Sequence, residues 1–141
     1  MKLLMLLFVL GATIFSVVSS YSSQEAGYHN SVRDNLRRFC ALENGSHFRY
    51  CLIVNGLREN IERYRNCAEQ VKFFHILQEI DQFICKNRTE QEYEQFMKCF
   101  EPASNAANRN NPRIFPILEK CLQFEENIDV GKKFIYDEYG M

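Results

Sequence analysis

From residue 32 onward, apolar residues return at every third or fourth position, and no stretch sustains a period of two. That spacing marks helices burying one face rather than half-buried strands. The first stretch has Val32, Leu36, Phe39 and Cys40 on one side, and Ser31-Val32-Arg33-Asp34 suits a capping box at its start. Asn44-Gly45 is expected to stop this helix after Leu42, because both residues tolerate left-handed backbone. A second stripe begins at Ser46 with Phe48, Cys51, Leu52, Val54, Leu57, Ile61 and Tyr64. Gly56 lies inside it, at a cost of about 1 kcal/mol against Ala. The apolar phase resets near Asn66, where a break is expected. Cys67, Val71, Phe74, Leu77, Ile80 and Ile84 form the third stripe, closed by Lys86-Asn87-Arg88.

Thr89-Glu90-Gln91-Glu92 is a stronger capping box, opening a helix with Tyr93, Phe96, Met97 and Phe100. Pro102 is expected to end it, and the small, Asn-rich segment Ala103 to Asn111 reads as an exposed loop open to nicking. Pro112 and Pro116 fall near the first turn of a last helix, where a missing amide costs little. Its stripe is Ile114, Ile117, Leu118, Cys121, Leu122 and Phe124, with an end expected about Asn127. The fold class expected is all-α, a small antiparallel bundle of four to five helices cross-linked by disulfides.

Ahead of the bundle, Met1-Lys2 and the apolar run Leu3 to Val18, followed by Ser19-Ser20, form a signal peptide. The run is shorter than the ~20 residues that span a bilayer. The expected division is a signal peptide over 1–20, a disordered lead-in over 21–30, the disulfide-bound helical domain over 31–128 and a C-terminal tail over 129–141. The tail has Phe134, Ile135, Tyr136 and Tyr139, which suit either a docked helix or a free end.

Secretion changes how the cysteines are read. Cys40, Cys51, Cys67, Cys85, Cys99 and Cys121 enter an oxidising compartment, and an even count there implies three disulfides. Geometry weakly favours Cys40–Cys51 across the Asn44-Gly45 turn and Cys67–Cys99 between antiparallel helices, leaving Cys85 with Cys121. Asn44-Gly45-Ser46 and Asn87-Arg88-Thr89 are N-glycosylation sequons at expected turns, which makes Asn44 and Asn87 candidate glycan sites.

Charge and motifs mainly exclude. The net charge of −1 supplies no basic field for nucleic acid or an anionic membrane. No catalytic, phosphate-binding or cofactor motif is found, and none of His29, His47 and His75 has the spacing of a metal ligand set. The chain is therefore expected not to be an enzyme and to need no cofactor or metal. The run Arg58, Glu59, Glu62, Arg63, Arg65 reads as a solvated helix face. The aromatic series Phe73, Phe74, Phe83, Tyr93, Phe96 and Phe100 is expected to be core, or the lining of a ligand cavity if the bundle is loosely filled.

Tyr64-Arg65-Asn66-Cys67, Phe83-Ile84-Cys85-Lys86-Asn87 and the run from Tyr93 to Lys98-Cys99-Phe100 resemble the secreted, cysteine-bound helical domains that nematodes carry in many copies. These include the core domain of chondroitin-proteoglycan type and related domains of unknown function. The resemblance spans residues 40–121 and implies a secreted, non-enzymatic domain without assigning site residues. The chain has no Ser-Gly pair, so the glycosaminoglycan attachment of the proteoglycan group does not carry over. The intervals of ten, fifteen, seventeen, thirteen and twenty-one residues between cysteines fit neither insect odorant-binding proteins nor saposins. The expected function is a secreted binding or interaction protein for an extracellular protein or matrix partner. Its alternative is a carrier of a small apolar ligand in the bundle core.

Overall fold

The structure, a computed structural model, describes residues 32–139, with side chains as far as Lys133. The signal peptide, the lead-in, His29 and the Ser31 capping box lie outside the described residues. Six helices form among those described: α1 over 32–41, α2 over Gly45–Val54, α3 over Arg58–Glu69, α4 over Leu77–Cys85, α5 over Glu90–Asn110 and α6 over Ile114–Tyr139. The fold is all-α and disulfide cross-linked, as expected. Its helix boundaries differ from the sequence reading at three places, and Asn44-Gly45 plays a part other than the one expected.

α1 ends at residue 41, within one residue of the expected end, but Asn44-Gly45 lies beyond it and does not cap it. Asn44 instead starts α2, its Oδ1 accepting from the Ser46 amide at 3.0 Å. Gly45 is there for space, since a Cβ would lie 3.0 Å from the Phe39 ring.

The stretch from Ser46 to Tyr64 breaks at Gly56, and no break occurs at Asn66. Gly56 has φ of +80°, its amide bonds Ile53 O at 3.0 Å, and the Leu57 amide bonds Leu52 O at 2.8 Å. This is a Schellman stop, and the apolar residues at its two ends, Leu52 and Leu57, are both buried. The next helix begins at once and runs through Asn66 to Glu69. The third stripe consequently becomes helix only from Leu77.

Pro102 does not end α5. The Thr89 capping box holds as expected, with reciprocal bonds to Glu92 of 3.1 and 2.9 Å, and the helix runs on for 21 residues. The segment expected to be a loop is its last two turns, and Ser104, Asn105 and Asn108 are buried there. Asn108 Oδ1 accepts from the Phe115 amide at 3.0 Å, so it satisfies an orphan donor in the first turn of α6. The exposed Pro102 faces outward on the same helix. Finally, α6 continues past Asn127 to Tyr139, so the tail begins as a prolongation of the last helix.

Each described helix carries one cysteine, and each bridge joins two helices. Cys40–Cys85 links α1 to α4, Cys51–Cys121 links α2 to α6 and Cys67–Cys99 links α3 to α5. The Cys67–Cys99 expectation holds, while Cys40–Cys51 and Cys85–Cys121 are corrected. The reason lies in the direction of α2. Glu43 N to Asp129, His47 to Glu125 and Cys51 to Cys121 are successive pairings that run antiparallel along α6. Cys51 therefore meets α6, leaving Cys40 to α4. Similar antiparallel pairings, Lys72 with Glu92, Cys67 with Cys99 and Tyr64 with Phe100, align α3 with α5. The three bridges close 45, 70 and 32 residues, and bridges of this kind typically contribute about 2–4 kcal/mol each.

Phe39, Phe48, Tyr64, Phe96 and Phe100 form a continuous ring cluster at the centre, with centroids 5.0 to 6.2 Å apart. Ile80, Ile84, Met97 and Leu122 complete the best-buried part of the core. Outside it, Arg38 binds both Glu119 and Glu126, fastening α1 to α6.

Candidate functional site

Two concavities back onto each other between α2 and α3. The inner one is a half-open pocket of about 80 Å³ where α1, α2, α3, α5 and α6 converge, walled chiefly by Leu36, Phe48, Leu52, Tyr64, Phe115 and Leu118. The outer one is an open groove of about 410 Å³ bordered by Tyr50, Ile53, Arg58, Glu62, Arg65 and Leu77. Arg49 and Ile61 line both and form the partition.

Arg49 holds that partition through a polar triangle. Its side chain is buried, and Nη1 donates to Asp81 Oδ2 at 2.7 Å. The Tyr64 hydroxyl donates to Asp81 Oδ1 at 3.1 Å. Burial, reinforced by the Asp81 charge, pushes the Tyr64 pKa well above its ordinary value, so the phenol remains a donor. One carboxylate from α4 thus ties α2 to α3, with both oxygens engaged. A base with both oxygens committed and a phenol that resists ionisation make a brace for three helices rather than a proton-transfer pair.

The groove carries the exposed apolar surface. Tyr50 is 66% exposed and Ile53 39%, although both sit on a helix whose other face fills the core. Ile76 is exposed beside Leu77 at the groove edge, and Phe73 lies exposed nearby in sequence. Arg58 and Arg65 add charge to the far wall, with Arg65 Nε bonded to Glu69 at 2.9 Å. The run expected to be a solvated face is exposed at Arg58, Glu59, Glu62 and Arg65. Arg63 is half-buried, binds Asn60, and has its pKa lowered by burial.

The aromatic series from the sequence does not gather at either concavity. Phe73 is exposed and edge-on to His75 at 5.0 Å. Phe74 and Phe83 pair at 5.2 Å beneath the Lys72 ammonium. Tyr93 lies under the Arg88 guanidinium at 3.8 Å, and its pKa is raised chiefly by burial. Phe96 and Phe100 stack at 5.0 Å in the core, and Phe100 alone of the series reaches the inner pocket.

All six cysteines are bridged. Asn44 and Asn87 are both exposed, and each follows a cysteine of the same bridge, by four residues from Cys40 and two from Cys85. The two sequons therefore share one end of the bundle. His75 is exposed, and its neighbour in sequence Glu79 accepts from the His75 backbone amide at 2.8 Å. His47 Nδ1 lies 3.8 Å from Glu125, whose carboxylate is buried. Among the described residues no group of three or more His, Cys, Asp or Glu is placed to hold a metal ion. None of the described helices is long and apolar enough to cross a membrane.

Sequence reasoning missed the groove, the Arg49 triangle and the buried polar residues of α5. One signal was present. Arg49 and Asp81 each stand beside a core residue, Phe48 and Ile80, in otherwise amphipathic helices. No protein-family model, curated protein or solved structure matches the chain.

Proposed function

We propose that the protein is a secreted, non-enzymatic binding protein that presents the α2–α3 groove to an extracellular protein or matrix partner. The observation that carries this reading is the exposure of Tyr50 and Ile53 at an open groove on a scaffold stapled at every described helix. Three disulfides suit an oxidising compartment, and the apolar start of the chain suits export. Tyr and Arg, both present along the groove, are residue types that interfaces favour. Glycans on Asn44 and Asn87 would cover the end beside the Cys40–Cys85 bridge.

The test compares wild-type protein with Tyr50→Ser/Ile53→Ser in pull-downs from the native extracellular fluid. A protein or matrix component retained by the wild type and lost with the double variant, at unchanged helicity, supports the reading. Equal retention by both, or none by either, overturns it. Intact mass of the exported protein, before and after reduction and deglycosylation, checks cleavage, bridging and glycans together.

A further inference from the structure

Two pairs of adjacent basic residues stand in the part of the chain that follows the apolar start, Arg37-Arg38 and Lys132-Lys133. Each has the charge pattern that a dibasic-specific endoprotease reads, because paired acidic subsites take two neighbouring cations of an extended chain. Both pairs stand in helices, so a cut at either needs the helix to open first. The structure makes the two openings unequal. Arg38 binds Glu119 and Glu126, and its side chain is only 20% exposed. Leu36 and Phe39 are buried on either side of the pair, and Cys40 is bridged to Cys85. Opening α1 there would strip two core residues and both ion pairs of Arg38.

Lys132-Lys133 is built the other way. Among the described residues none beyond Glu125 is buried, and Val130 is 53% exposed. The described stretch after Glu125 is held by polar contacts: Glu126 to Arg38, Asp129 to the Glu43 amide at 3.2 Å, and Lys132 to Glu43 at 3.8 Å. The last is an exposed ion pair, of a kind that contributes little. Lys133 is exposed as well. Gly131, directly before the pair, lowers helix propensity without serving a close approach, since nothing lies within 4 Å of where its Cβ would stand. The described end of α6 thus has little to lose on opening.

We propose that Lys132-Lys133 is a processing site, cut after Lys133 by a dibasic-specific serine endoprotease of the export route. Water adds across the Lys133–Phe134 peptide bond, leaving a carboxylate on Lys133 and an amine on Phe134. Lys133 lies beyond Cys121, the last cysteine, so no disulfide retains the segment that begins at Phe134. The three bridges and the α2–α3 groove stay on the larger product. Such processing requires the export proposed above and is independent of what the groove binds.

The test incubates the purified, disulfide-intact full chain with a dibasic-specific serine endoprotease of the subtilisin class and follows intact mass. The expected result is one cut, after Lys133, releasing residues 134–141 and leaving Arg38–Phe39 untouched. Lys133→Gln should abolish it. Gly131→Ala should slow it about fivefold, the factor by which that exchange favours a helix interior. A cut after Arg38, resistance of the Lys133–Phe134 bond, or equal rates for wild type and Gly131→Ala would each overturn the assignment. A second arm weighs the protein exported by secretory cells that contain such an endoprotease. A chain ending at Lys133, or at Gly131 after exopeptidase trimming of the two lysines, supports the processing. Export of uncut chain overturns the processing and leaves export standing, whereas a chain retained in the cytosol overturns both.

Discussion

The junction between α2 and α3 and the second half of α5 disobey local sequence rules in opposite directions. At Gly56 a helix stops although the apolar stripe runs straight through. At Pro102 a helix continues although the residue lacks the amide its interior position needs. The first outcome is decided within six residues, by the two turn bonds between buried Leu52 and Leu57. The second is decided at a distance, by what α5 packs against. Cys99 is tied to α3, Phe96 and Phe100 meet Tyr64, and Asn108 reaches across to the start of α6. A stop can thus be written locally, whereas continuity past a proline needs the rest of the bundle.

That contrast can be attacked from both sides. Pro102→Ala should raise stability, by as much as about 3 kcal/mol from helix propensity and less once the freed unfolded chain is counted. Denaturant unfolding with bridges intact measures it. A destabilised Pro102→Ala would mean that the proline is wanted where it stands. Asn108→Ala should cost about 1–3 kcal/mol in the same assay, by stripping the Phe115 amide of its acceptor. Gly56→Ala should cost about 1–2 kcal/mol through left-handed strain alone, since nothing lies within 4 Å of the new Cβ. Gly56→Asn should recover part of that loss, and equal costs for the two would remove backbone strain as the cause. Thr89→Ala should cost about 1 kcal/mol by deleting the α5 cap.

The smallest expected effect is a pH dependence at the same cap. The Thr89 backbone amide holds the Glu92 carboxyl below its ordinary pKa. A depressed folded pKa gives stability that is complete above the unfolded value and fades as pH falls through the folded one. Glu92→Gln should therefore flatten the acid side of the stability profile and leave neutral pH nearly unchanged. A parallel acid limb in variant and wild type would remove the cap from the explanation.

Much of the fold could be read from residue order because it rests on short-range chemistry. Val32, Leu36 and Phe39 are buried as their spacing predicts, and Thr89-Glu92 caps as written. Asn55-Gly56 was as legible as Asn44-Gly45 by type, yet the first ends a helix and the second begins one. Residue type allows both; Phe39 packed on Gly45 selects the second. The disulfides were legible in number and only one in pairing, because the direction of α2 along α6 depends on contacts spanning more than seventy residues. The concavities were illegible for the same reason. Their walls draw on residues from 32 to 118, and Ser104 looked like loop polarity until α5 carried it inward.

The bridges also have a consequence for the covalent thread. The Cys40–Cys85 span overlaps the Cys51–Cys121 span, which encloses the Cys67–Cys99 span. Every peptide bond between Cys40 and Cys121 is therefore bypassed by at least one sulfur link. A protease that clips the chain once anywhere in this interval leaves one molecule on a non-reducing gel, and two fragments separate only when thiol is added.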